Sequence, residues 1–189
     1  KNEYARVQSF NSDGTLILAR SIEARWYLYD AQSFQPLGEL PLYVEPRWDA
    51  ENPDLIYFNN QTQLIEYNVR TGAQRLAHDF MSDLQGQSLS AVWTRYEGRP
   101  SADSRYWGYI AEDDRWNPAS FLVYDLQTDQ VISQRDLRGL PGIQDGVDHV
   151  TMSLLGTYFL ASFDRYCEHG QTGDDSNPCG LMVFDCGLN

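Results

Sequence analysis

Arg25-Trp26-Tyr27-Leu28-Tyr29-Asp30 is a short aromatic strand closed by an aromatic residue and an acid. The same phrase returns as Gln63-Leu64-Ile65-Glu66-Tyr67-Asn68, Ser120-Phe121-Leu122-Val123-Tyr124-Asp125 and Gly180-Leu181-Met182-Val183-Phe184-Asp185. Its closing residues lie 38, 57 and 60 positions apart. Self-similarity at this period marks a repeat architecture, in which each unit buries its apolar face against the next.

Working outward from the first copy, Ala5 to Phe10 reads as a strand and Asn11-Ser12-Asp13-Gly14 as a tight turn. Asp and Gly tolerate the positive φ that such hairpins need. Leu16 to Arg20, Arg25 to Tyr29 and Phe34 to Leu40 follow as strands, the last stopped by Pro41. The order repeats from Arg47 to His78, from Val92 to Leu137, and from Asp148 to Phe184, where the fourth copy lacks a last strand. The third copy's first strand is expected at Val92 to Arg99. No stretch has the apolar spacing and caps of a helix; the best candidate, Ala77 to Leu89, contains Gly86.

Four-stranded antiparallel units at this period are the pattern of a β-propeller. The chain resembles WD40-like and YVTN-like propellers over nearly its whole length. The Ser-Asp-Gly turn and the aromatic-Asp strand end carry the resemblance. It lacks the Gly-His pair and the Trp-Asp strand end that mark WD40 blades. The resemblance implies an all-β propeller with four-stranded blades near 4–43, 44–82, 90–138 and 145–189, the last incomplete. An incomplete last blade predicts a single partial propeller domain, a piece of a longer ring.

Composition bounds the function classes. The chain has 189 residues, 42% hydrophobic, enough for a core. Its formal charge is −13, which opposes non-specific nucleic-acid binding. No apolar run of about 18 residues offers a membrane span. Gly-rich phosphate loops, Gly-x-Ser-x-Gly elbows and His-Glu-x-x-His zinc motifs are absent, so no cofactor is predicted from motifs.

In a propeller, the loops joining strands 2 to 3 and blade to blade share one face. The long connections expected there are Pro41 to Pro46, Met81 to Leu89, Glu112 to Pro118, Arg138 to Asp145 and Arg165 to Pro178. Long loops on a rigid scaffold carry binding residues. Cys167 and Cys179 bracket the last loop. A disulfide there fits a secreted or periplasmic protein; two free thiols, or zinc held by Cys167, His169 and Cys179, are the alternatives. Cys186 lies too far along its strand to join them.

His149 follows Asp148 at the start of an inner strand. A carboxylate there would fix the tautomer of a base or metal ligand, whereas a purely structural His would hydrogen-bond between blades. Arg115 and Trp116 stand at a loop tip suited to sugar stacking or a protein hot spot, and Arg47 and Trp48, at the entry to another inner strand, are expected to line the same channel mouth as binding residues, with Asp148. Two functions of different kind follow. One is an exported scaffold that binds a protein or glycan through its loop-rich face. The other is suggested by similarity to secreted propeller polysaccharide lyases: His149, Tyr166 and Arg115 would act on an acidic polysaccharide. A purely structural interaction module is the third reading.

Overall fold

The structure is a computed structural model that describes residues 7–84, 86–140, 142–143 and 146–189. Its strands form four antiparallel sheets. The first contains β1 (Leu16–Arg20), β2 (Trp26–Asp30) and β3 (Pro36–Leu40). The second contains β4 (Val44–Trp48), β5 (Leu55–Asn60), β6 (Gln63–Asn68) and β7 (Gln74–Asp79). The third contains β8 (Leu89–Trp93), β9 (Tyr106–Asp113), β10 (Pro118–Asp125) and β11 (Gln130–Asp136). The fourth contains β12 (Val147–Met152), β13 (Tyr158–Phe163) and β14 (Leu181–Asp185). Within every sheet the strands neighbour one another in chain order, so each is a meander.

The repeated aromatic-Asp phrase has a local cause. Its final Asp or Asn accepts backbone N–H bonds from the turn that follows. Asp30 accepts from Ser33 (2.7 Å), Asn68 from Thr71 (3.0 Å), Asp125 from Gln127 (2.9 Å) and Asp185 from Gly187 (2.8 Å). These are Asx turns, which end one strand and aim the next. A second repeated device closes the first hairpin. Asn11, Ser101 and Ser153 each accept from a backbone N–H five residues on, at Leu16, Tyr106 and Tyr158.

The chain divides into two compact units, residues 1–60 with 64–78, and residues 61–63 with 79–189. In the first, Leu16, Leu18, Trp26, Leu28, Ile56, Phe58 and Tyr67 form the core. The alternate burial along β1 and β2 matches the period of two that puts every other side chain inward.

The second unit's core joins Ile110, Phe121, Val123 and Leu137 to Val147, Val150, Phe159 and Phe184. Every residue of β10 is buried, which explains the continuous run Phe121-Leu122-Val123-Tyr124: a central strand covered on both faces need not alternate. The phenyl rings of Phe121 and Phe159 stand 4.9 Å apart. Gly108 makes that approach feasible, because a Cβ there would lie 2.9 Å from the Phe159 ring.

One expectation is corrected. The third copy's first strand is Leu89–Trp93, not Val92 to Arg99. Arg95 and Tyr96 adopt positive φ (59° and 74°), and Thr94 Oγ1 accepts from Gly98 N at 3.1 Å, so the chain turns where it was expected to extend. The weak helix candidate, Ala77 to Leu89, forms no α-helix among its described residues; it holds the 3-10 turn Phe80–Ser82, capped by the Asp79 carboxylate at Met81 N.

Candidate functional site

One rim of the second unit brings together residues from three segments: the loop after β8, the β9–β10 hairpin and the start of β12. The loop residues 94–99 lie against β12. Val150 N donates to Thr94 O (3.1 Å), Met152 N to Arg99 O (3.0 Å) and Arg99 N to Thr151 Oγ1 (2.9 Å). Gly98 is needed there, since a Cβ would fall 1.9 Å from Val150 O.

This pinning brings Glu97 to His149. His149 Nδ1 lies 3.0 Å from Asp148 Oδ2 and 3.7 Å from Glu97 Oε2. Their side chains are 21%, 47% and 36% exposed, so the group opens to solvent. Beside it, Arg95 Nε donates to Glu112 Oε1 at 2.7 Å, and its terminal nitrogens reach Glu112 Oε1 and Val147 O. The Glu112 side chain is 2% exposed. A carboxylate so deeply placed needs its guanidinium, and removing the partner of such a pair costs about 3–5 kcal/mol. Arg95 therefore holds the loop, β9 and β12 together.

An aromatic group completes the rim. Trp93 meets Tyr96 edge-on at 5.0 Å and Trp116 at 6.3 Å. Trp116 is 58% exposed and sits at φ +64°. Its hairpin closes by Trp116 N to Asp113 O (3.0 Å) and Asp113 N to Asn117 O (2.9 Å). Hairpins of this kind place Gly or Asn at the left-handed position; here it carries the largest side chain. Burial opposes ionisation of Asp113, but the N–H groups of Asn117 and Arg115 outweigh it and hold that carboxyl below its usual range. Two buried polar atoms of the rim, Trp93 Nε1 and Glu112 Oε2, have no hydrogen-bond partner among the described residues. Each such atom costs about 1–3 kcal/mol until a water or ligand satisfies it.

His149 and Asp148 thus pair as the sequence suggested, and Trp116 is exposed on the same rim. Arg115 is exposed beside Trp116. Tyr166 is 90% exposed in the 164–180 loop; no described contact joins it or Arg115 to His149. Arg47 and Trp48 are buried in the first unit. Trp48 packs in its core with Nε1 on Ser9 O, and Arg47 donates to Pro46 O. Burial removes both side chains from a solvent-facing role. Asp145 lies outside the described residues. The sequence reading missed Arg95, Tyr96 and Glu97 because it ran a strand through them; it placed Trp93 in a strand and Glu112 at the start of a loop without giving either a role. Gly98 and Pro100, both strand breakers, were the available signal. It also assigned long loops to other connections, whereas the Thr94–Arg105 connection between first and second strands supplies Arg95, Tyr96 and Glu97.

Cys167 and Cys179 form a disulfide across 12 residues, so both sulfurs are engaged, and His169 is exposed nearby in sequence. Arg135 ties this loop down through Asp175 while stacking over Phe184 at 5.0 Å. Cys186 is a free, half-buried thiol that donates to Gly156 O, and burial pushes its pKa up. No helix among the described residues is long and apolar enough to cross a membrane.

No family model and no curated protein matches this sequence. Among solved structures the chain is similar to oligogalacturonate lyase from Vibrio parahaemolyticus, with a TM-score of 0.62 and 10% identity. The match covers 98% of this chain and 51% of that one, so the chain spans about half the enzyme's length. At this identity the likeness concerns the fold.

Proposed function

We propose that this chain is a propeller scaffold of an exported protein that binds a glycan at the Trp93–Tyr96–Trp116 rim. One observation carries the reading: an exposed Trp occupies a left-handed hairpin position that a smaller residue would fill with less strain. Strain of this kind costs about 1–3 kcal/mol and persists where the side chain is used. A flat, exposed indole face suits a sugar ring, which offers C–H surface for stacking. The disulfide supports an oxidising compartment, periplasmic or extracellular.

The site favours neutral sugars. Glu97 and Asp148 add exposed negative charge to this rim, and the Arg95 guanidinium is engaged by Glu112. Titrating the protein with cellohexaose, chitohexaose and oligogalacturonate by calorimetry tests this. Binding of a neutral hexasaccharide that is lost in Trp116→Gly is expected. Failure of the panel to bind, or binding indifferent to Trp116, refutes it.

A second reading is favoured by the His149–Asp148 pair and by the fold of the lyase neighbour. With Nδ1 held by Asp148, His149 Nε2 would take the C5 proton of a uronate. The C4–O bond would break, a C4=C5 double bond would form, and the departing oxygen would gain a proton from solvent. This reading expects an unsaturated, ultraviolet-absorbing product from oligogalacturonate, lost in His149→Ala.

A further inference from the structure

The donor atoms on this rim are spaced as donors around a single ion are. Atoms bonded to one first-row divalent cation at about 2.1 Å lie roughly 3.0 Å apart at adjacent octahedral positions, 3.4 Å apart in a tetrahedron and 4.2 Å apart when opposite. His149 Nδ1 is 3.0 Å from Asp148 Oδ2 and 3.7 Å from Glu97 Oε2, both inside that span. One donor atom from each of the three residues lies within 4.8 Å of the others.

The spacing is imposed by backbone rather than by side-chain drift. Asp148 and His149 belong to β12, and Glu97 to the loop beside it. Val150 N to Thr94 O and Met152 N to Arg99 O flank Glu97 on the loop, and the Arg95 guanidinium donates to Val147 O on the other side of Asp148. Gly98, next to Glu97, permits this close approach, since a Cβ there would fall 1.9 Å from Val150 O. Donors held this way need little reorganisation on binding. Their partial exposure gives an ion entry and leaves positions for water or ligand oxygens.

We infer that Glu97, Asp148 and His149 form a binding site for a first-row divalent cation. One imidazole with two carboxylates suits Mn²⁺ or Zn²⁺ better than the all-oxygen cages of Ca²⁺ and Mg²⁺. The cation site stands independently of sugar stacking at Trp116. It also competes with the base reading of His149, since Nδ1 cannot both donate to Asp148 and coordinate a metal.

The test is a titration of chelator-stripped protein with MnCl₂, followed by the electron paramagnetic resonance of free Mn²⁺. Mn²⁺ is the probe because the free Cys186 thiol would draw the softer Zn²⁺. One saturable Mn²⁺ per chain is expected, weakened at least tenfold in His149→Ala and in Asp148→Asn. Trp116→Gly should keep wild-type Mn²⁺ affinity, which separates this site from the sugar platform. Circular dichroism confirms that the variants are folded. Should His149→Ala unfold, the near-isosteric Asp148→Asn carries the decision. No saturable Mn²⁺ binding below millimolar concentration, or affinity unchanged in Asp148→Asn, overturns the inference.

Discussion

Trp116→Gly separates what the hairpin needs from what the rim is for. At φ +64° a residue with a Cβ is strained by about 1–2 kcal/mol. Gly removes that strain but frees the unfolded chain, which takes back about 0.5–1 kcal/mol. The substitution also loses the edge-on contact with Trp93 at 6.3 Å, worth about 0.5–1.5 kcal/mol. These effects nearly cancel, so Trp116→Gly should match the wild type within about 1 kcal/mol, or about 2–4 °C in Tm. Trp116→Ala loses the same ring and keeps the strain, so it should be less stable than Trp116→Gly by roughly 0.5–1 kcal/mol. Both variants should lose glycan affinity at least about 30-fold, the loss of one aromatic anchor worth 2 kcal/mol. The assays are thermal unfolding by circular dichroism and calorimetric titration with the bound hexasaccharide. A drop of more than about 8 °C in Trp116→Gly would show that the indole is a structural plug. Equal glycan affinity in all three proteins would refute the role assigned to it.

Other outcomes are equally specific. Gly98→Ala should destabilise the protein by about 1–3 kcal/mol through overpacking and abolish Mn²⁺ binding, because its Cβ would meet Val150 O at 1.9 Å; wild-type melting and Mn²⁺ affinity would contradict the close approach. Thiol counting in denaturant should find one reactive thiol, Cys186, without reductant, and three with it; reduction should lower stability by up to about 3 kcal/mol. Arg105 hydrogen-bonds Asp125 through Nε (3.1 Å) and Nη2 (2.8 Å), and this guanidinium holds the buried carboxyl below its usual pKa. The folded pKa lies below the unfolded value of about 3.9, so the pair's stabilisation is complete above that pH and is lost as pH falls through the folded value. Asp125→Asn should therefore flatten the acid side of a Tm-against-pH curve; an unchanged slope would deny the linkage.

How much of this was legible in the sequence follows from which residues act locally. Asp30, Asn68, Asp125 and Asp185 cap turns within three residues of themselves, so their phrase is readable without tertiary structure. His149 and Asp148 are neighbours in sequence, and their pairing was equally accessible. Glu97 reaches them only because backbone hydrogen bonds lay the 94–99 loop along β12, more than fifty residues away. The Arg95–Glu112 pair likewise joins a loop to a strand through a long-range contact. Trp48 shows the reverse error. Its place at a strand entry suggested exposure, yet its indole fills the core and donates to Ser9 O at 3.1 Å. Local pattern reveals turns and strand order; it does not tell an exposed Trp from a buried one.

The five tryptophans offer the most direct test of the glycan rim. Three indole N–H groups are committed to backbone carbonyls: Trp26 to Tyr43 O (3.1 Å), Trp48 to Ser9 O (3.1 Å) and Trp107 to Ser104 O (2.7 Å). Trp93 and Trp116 lie on the rim, and Trp93 Nε1 has no partner among the described residues. In a ¹⁵N-correlated spectrum recorded during glycan titration, the indole signals of Trp93 and Trp116 should shift and those of Trp26, Trp48 and Trp107 should stay in place. Shifts confined to Trp26, Trp48 or Trp107, with Trp93 and Trp116 unmoved at saturating sugar, would contradict the account.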